Sequence, residues 1–276
     1  MEVWAHTLVK NEARWLWYSV SSVIDHVDKV LLWDTGSTDG SLDIEKDLEK
    51  KYPGKIILKQ RSQKTAEDFT KVRQEMLDET KSDWFLMLDG DEIWWDGSIA
   101  KVISSIKSNT SITGFESIVV QTINLVGDIF HRQEESAGKY KFGDRVGHYN
   151  LRAVKRSIPG LRSQGIHGVW GWADIDNKMI QDRNTFKFID APYLHATNLR
   201  RSDSDSEVIK RRNKFRFELG EDFPKDFYYP EVFFKDRPDL IESPWKTTNF
   251  SFKARAFFET PLRKLKRRVW NGKVGY

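Results

Sequence analysis

Over its first hundred residues the chain alternates short apolar runs with amphipathic stretches, and this alternation limits the available folds more than any other feature. Residues 2–9 read as a strand, and Leu16, Val20, Val23 and Val27 then recur at helical spacing. A second strand over 29–33, a helix over 42–51, Pro53-Gly54 and a third strand over 55–59 continue the pattern. Strand and helix in turn predict a parallel sheet covered by helices. A helix over 65–80, with Phe69, Val72 and Met76 on one face, leads into the apolar run Trp84-Phe85-Leu86-Met87-Leu88. At 276 residues and 39% hydrophobic content the chain is long enough for one substantial core.

That last run stops in three carboxylates within four residues, Asp89, Asp91 and Glu92, with Gly90 between the first two. The carboxyl end of a buried strand in an α/β sheet opens onto the crevice where ligands bind. Gly90 permits a tight turn and leaves room for a close neighbour. Two carboxylates one residue apart suit a divalent cation, which in turn suits a diphosphate; the same residues also read as a plain polar turn. Asp174-x-Asp176 and Asp203-x-Asp205 have the same spacing without a preceding apolar strand and read as solvated surface. Asp34-Thr35-Gly36-Ser37-Thr38-Asp39-Gly40-Ser41, between strand and helix, either accepts an anion or nucleotide on its backbone N–H groups or is an ordinary loop in which Thr38 or Asp39 caps the helix.

Beyond residue 106 the pattern loosens. Residues 114–124 and 186–189 read as strands and 152–155 as a short strand, whereas 128–147 read as a long loop. Residues 160–172 form a Gly- and Trp-rich patch holding His167, Trp170 and Trp172, and His195 follows the strand at 186–189. Residues 1–198 are expected to form the main domain and 199–276 a basic, aromatic-rich appendage packed on it. Arg200, Arg201, Lys210, Arg211, Arg212, Lys214 and Arg216 read as one basic helix. At the end, Phe257, Phe258, Leu262, Leu265, Val269 and Trp270 interleave with basic residues in a short amphipathic helix. Such a helix rests its apolar side on its own domain, lies on anionic lipid, or touches nucleic acid.

The absence of cysteine excludes disulfides, thiolate zinc sites and a cysteine nucleophile. The net charge of +4 is a mild excess that favours anionic partners without naming one. No signal-like segment or transmembrane-length run occurs in this sequence, so a cytoplasmic protein, soluble or peripherally membrane-associated, is expected.

Taken together, Val9-Lys10-Asn11-Glu12, Trp33 through Gly40, Glu67-Asp68-Phe69 with Arg73, and Asp83 through Glu92 resemble, in order and spacing, the family 2 glycosyltransferases of the GT-A fold. The resemblance implies an α/β, Rossmann-like, mostly parallel central sheet flanked by helices, with a helical or irregular C-terminal appendage. It implies a metal-dependent transferase, using Mn2+ or Mg2+, that moves a sugar from a nucleotide-diphosphate sugar to an acceptor hydroxyl, with inversion. By the same resemblance Leu8, Lys10, Glu12, Asp34, Thr35, Arg73, Asp89 and Gly90 would bind the nucleotide, and Asp89, Asp91 and His195 the metal. Without it, a single His after a strand reads more often as a satisfied structural histidine than as a ligand. Two positions depart from the pattern: Thr35 stands where many members carry a second Asp, and Gly168 follows His167 where related sequences often carry Glu. His167 and Asp174 are then the nearest candidates for general base, though each reads more readily as structural, and Trp170 and Trp172 either stack the acceptor, whether glycan, lipid-linked glycan, protein or nucleic acid, or only fill a core. The competing readings are a sugar-phosphate nucleotidyltransferase, and a nucleic-acid or membrane binding module on an inactive scaffold.

Overall fold

The computed structural model describes residues 1–110, 114–166, 169–205 and 216–269. Its first half follows the alternation: β1 (Val3–Val9), α1 (Leu16–Val23), β2 (Lys29–Asp34), α2 (Ser41–Lys51), β3 (Ile56–Gln60), α3 (Ala66–Glu79), β4 (Trp84–Met87), β5 (Glu92–Trp94) and α4 (Asp96–Lys107). Then come β6 (Ser117–Val126), β7 (Asp128–Arg132), β8 (Tyr140–Phe142), β9 (Arg145–Gly147), β10 (Tyr149–Lys155), β11 (Arg162–Gln164) and β12 (Gly171–Ala173). The chain continues through β13 (Phe186–Asn198), β14 (Glu221–Asp222) and α5 (Phe250–Val269). The main sheet runs β14-β7-β6-β10-β4-β1-β2-β3, with β13 pairing both β6 and β5. Strands β4, β1, β2 and β3 are mutually parallel, so their carboxyl ends open on one edge. Antiparallel β10 carries the sheet away from β4.

Apolar residues of α1 and α4 (Leu16, Val20, Ile99, Val102) fill one face of the sheet with Leu86, Ile93 and Trp94, all fully buried. The opposite face is sealed by a second cluster around Phe85, Met87 and Trp172. Helix α3 starts at a capping box in which Thr65 and Asp68 satisfy each other's backbone N–H groups.

Two expectations need revision. Residues 128–147 are not a long loop but hold β7 and the β8–β9 hairpin, whose short strands are hidden by interleaved Gly and charge. The strand at 186–189 runs on to Asn198, because Pro192 sits where the pairing with β6 shifts register and its missing N–H costs no ladder bond. Described residues beyond 198 pack on this body. Strand β14 joins the sheet beside β7, and Val232, Phe233 and Ile241 belong to the main core. Of the basic stretch after 198, Lys210, Arg211, Arg212 and Lys214 lie outside the described residues. Among the described residues no helix is long and apolar enough to cross a membrane.

Candidate active site

Parallel pairing sets Val9 beside Asp34, so the loops leaving β1 and β2 meet. Their side chains fasten them together. Asp34 Oδ1 accepts from the N–H groups of Gly36 (2.6 Å) and Ser37 (2.9 Å), folding the Gly-rich turn onto its own first residue. Asn11, at φ 55°, accepts from Thr38 N at 2.7 Å, while Ser37 Oγ and Ser41 Oγ accept from Asn11 N and Glu12 N. Lys10 Nζ donates to Thr35 O at 3.1 Å and so closes the turn rather than standing free. Leu8, Lys10, Glu12 and Thr35 thereby line a cleft of about 650 Å³; Asp34 lies beneath it, 1% exposed.

The turn after β4 supplies the floor. Arg73, from α3, donates to Asp89 Oδ1 at 3.1 Å, and Arg152, from β10, stands 3.8 Å from Asp89 Oδ2 and against Glu92. Asp91 is fully buried between His195 (3.5 Å from Nε2 to Oδ1) and Arg201 (2.7 Å from Nη1 to Oδ2), and Arg201 also reaches Glu12 at 3.1 Å. The Asp89 side chain is 41% exposed and faces the cleft. Burial works to raise its pKa, but Arg152 and Arg73 outweigh this and hold the carboxyl below its ordinary range. Burial drives Glu92 well above that range, with Arg152 opposing. Gly90 is closely packed: a Cβ there would stand 3.0 Å from Glu12 Cγ, so the room it leaves is taken up by the acid in the loop after β1.

The geometry separates the expected metal ligands. Among the described residues no three of His, Cys, Asp and Glu close around one point. Asp89 is turned to its arginines, whereas Asp91 and His195 converge as carboxylate and imidazole, a donor pair that suits Mn2+.

On the α3 side, the Arg73 guanidinium lies 5.3 Å from the ring centroids of both Phe69 and Trp170. Trp170 is tied by Nε1 to Ser163 Oγ at 2.6 Å and lines the cleft. Trp172 does not: it is fully buried, its Nε1 donates to Met87 Sδ, and it packs edge-on to Phe85, so it fills core instead of offering a platform. Asp174 is not solvated surface but 3% exposed. It accepts from Asp176 N and Lys178 N and pairs with Arg183, and it takes no part in the cleft lining. His167 lies outside the described residues.

Several cleft residues gave no sequence signal. Arg152 sits in a short apolar strand, and its Nε donates to the buried Tyr193 hydroxyl at 2.8 Å, a contact between β10 and β13 that only tertiary structure creates. Arg201 was one basic residue among seven. His148 lines the far wall, with Nε2 donating to Glu134 O at 3.0 Å and Nδ1 accepting from Asn124 Nδ2 at 2.9 Å. Burial lowers its pKa, so it is a neutral imidazole with both nitrogens engaged.

The family model described as Glycosyl transferase family 2 matches residues 6–162. Among solved structures, the chain overlaps TarS of S. aureus at 10% identity and TM-score 0.49, covering 78% of this chain and 41% of that one. It overlaps glucosyl-3-phosphoglycerate synthase from Mycobacterium tuberculosis, solved with Mn2+, uridine diphosphate and glucosyl-3-phosphoglycerate, at 13% identity and TM-score 0.43, covering 71% and 72%. The chain thus spans well under half the length of TarS, at 41%. No curated protein matches it.

Proposed function

The chain belongs to glycosyl transferase family 2, and from that membership we propose that it transfers a sugar from a nucleotide-diphosphate sugar to an acceptor hydroxyl with inversion. The observation that carries the reading is that Asp89, His195, Arg73, Arg152 and Arg201 line one cleft beyond the carboxyl end of β4, with Asp91 buried behind His195 and Arg201.

In this reading Leu8, Thr35 and the turn held by Asp34 and Lys10 receive the nucleoside, with Glu12 and Gly90 shaping the floor beneath it, and Asp89 binds the ribose. As the bond from the anomeric carbon to the diphosphate oxygen breaks, negative charge grows on the leaving group. Preorganised guanidinium groups at that point are worth about 2–4 kcal/mol each. Arg73, Arg152 and Arg201 are held in place by buried acids and aromatic rings, so their cost of ordering is met by the fold. A divalent cation, Mn2+ or Mg2+, is proposed at Asp91 and His195, where it would add positive charge beside the diphosphate. Trp170 offers the ring face for a sugar. His167, three residues before it in sequence, is the proposed acceptor of the hydroxyl proton; Asp174 is committed to Arg183 and is given no such role.

The test is thermal unfolding with a panel of nucleoside diphosphates and their sugars, with and without Mn2+ or Mg2+, on the wild type and Asp91→Asn, followed by product analysis. Metal-dependent stabilisation by one nucleotide, lost in the variant, and release of nucleoside diphosphate are expected. Release of pyrophosphate would identify a nucleotidyltransferase, and stabilisation by none of the panel would leave a binding scaffold.

A further inference from the structure

Helix α5 is amphipathic in the opposite sense to a helix that covers a core. Its body-facing stripe is Phe252, Ala256 and Thr260, continued by Arg263 and Arg267. Arg267 forks onto Glu218 with two 2.6 Å bonds and onto Glu134 at 3.0 Å, and Thr260 Oγ1 accepts from Leu219 N at 2.7 Å. Polar contacts therefore hold the lower half of the helix to the body.

The apolar residues point outward. Phe257, Phe258, Leu262, Leu265 and Val269 are 65%, 73%, 68%, 59% and 76% exposed, and Phe250 at the helix start is 86% exposed. At about 100° per residue they span an arc of roughly 140° centred opposite the body-facing stripe. Arg268, in the last turn, interrupts this arc, but monomeric proteins rarely leave so long an apolar strip in water.

Charge decides what covers it. The helix carries seven basic residues and one acid, and Glu259 is taken by Arg255 and Arg263 along the helix itself. Lys253 and Lys264 flank one border of the apolar arc and Arg255 and Lys266 the other, where long side chains can keep their charges in water while their stems lie along apolar surface. A second copy of the chain would bring like charges together along its whole length. A nucleic acid would match the charge and leave the phenylalanines and leucines exposed. An anionic bilayer satisfies both, with apolar side chains below the headgroups and Lys and Arg among them.

We propose that α5 is an interfacial helix that docks this protein on an anionic lipid surface, lying in the plane of the membrane. The helix is fixed to the catalytic body where that body walls its cleft. Arg267 and Lys264 hold Glu134, whose carbonyl accepts from His148, and His148 and the adjacent Gln133 line the cleft. Docking therefore sets the cleft wall at a fixed height above the lipid. The inference does not depend on the reaction catalysed.

The full chain is tested by co-sedimentation with vesicles of phosphatidylcholine alone and with about 30 mol% phosphatidylglycerol. Binding to the anionic vesicles is expected to be roughly tenfold or more tighter than to neutral ones. It should fall by roughly tenfold or more in Phe258→Asp/Leu262→Asp, and also in Lys253→Glu/Lys266→Glu. The unfolding midpoint of Phe258→Asp/Leu262→Asp should not move, because these two side chains are exposed. No binding to either vesicle, or binding indifferent to both double variants, overturns the proposal. So does a dimer that Phe258→Asp/Leu262→Asp dissociates, or nucleic-acid binding that persists in that variant while vesicles are ignored.

Discussion

Arg201 Nη1 stands 2.7 Å from Asp91 Oδ2 and 3.1 Å from Glu12 Oε1, so a cation supplied by the chain beyond β13 neutralises two buried acids at the ends of β4 and β1. The segment that carries it is fixed to α1: Arg14 N donates to Arg201 O, and Trp15 Nε1 to Arg200 O. A metal ion bound at Asp91, as proposed, would meet a carboxylate already compensated. Arg201→Gln is expected to cost about 3–5 kcal/mol without metal, because two acids are left buried without their cation. Mn2+ should restore much of that loss in the variant and bind it roughly tenfold more tightly than the wild type by calorimetry. A variant that Mn2+ does not restabilise would show that the ion settles elsewhere.

The two tryptophans two residues apart should behave differently on truncation. Trp172→Ala opens a cavity beneath β4 and is expected to cost about 3–5 kcal/mol in chemical denaturation. Trp170→Ala removes a cleft-lining ring that also packs on Phe69 and Arg73. It should cost under about 2 kcal/mol while raising the KM for donor or acceptor well above its effect on kcat. Equal losses of stability would refute the division between core and cleft.

His6 is fully buried, stacked 4.6 Å from Phe85, with Nε2 donating to Thr80 Oγ1. Burial first, and the nearby Arg73 second, push its pKa down to about 3 from 6.5. The unfolded chain therefore binds a proton that the folded chain refuses. The resulting stability is complete above pH 6.5 and is lost as the pH falls toward 3. Between pH 6.5 and 4 this amounts to about 3 kcal/mol. His6→Gln should show a correspondingly flatter pH dependence over that interval in urea melts.

Glu45 on α2 shows the reverse linkage. It is 2% exposed, Oε1 has no partner among the described residues, and burial with Asp34 and Asp39 nearby raises its pKa to about 9. Its carboxyl favours folding below pH 4.5, the ordinary value, and that contribution is lost as the pH climbs toward 9. Glu45→Gln is expected to gain up to about 3 kcal/mol at pH 7 and to match the wild type near pH 4. A variant no more stable at pH 7 than at pH 4, relative to wild type, would contradict a raised carboxyl.

The first hundred residues were legible because period, punctuation and acid placement all agreed there: β1 to β4 and their helices fall where the alternation predicts, and the acidic turn opens on the cleft. What the sequence could not show is pairing at a distance. Arg152 and Arg201 reach the acidic turn from 60 and 110 residues away, and nothing local distinguishes them from other basic residues. Pro192 concealed the length of β13, since a proline inside a strand signals its end unless a register shift absorbs it. The C-terminal helix was left open for another reason: its amphipathic period is real, but period alone does not say which face turns inward.

Strand β13 is bonded on both sides at the same three residues. Tyr193, Leu194 and His195 face Trp94, Ile93 and Glu92 of β5, and Thr122, Ile123 and Asn124 of β6. A slip of one residue would break two ladders at once and turn His195 to the opposite face, setting Leu194 or Ala196 against Asp91. Length can therefore vary among related chains in the turns before β13, but not between Tyr193 and His195. A single codon inserted there would cost the cleft its imidazole even though every residue lining it were still encoded.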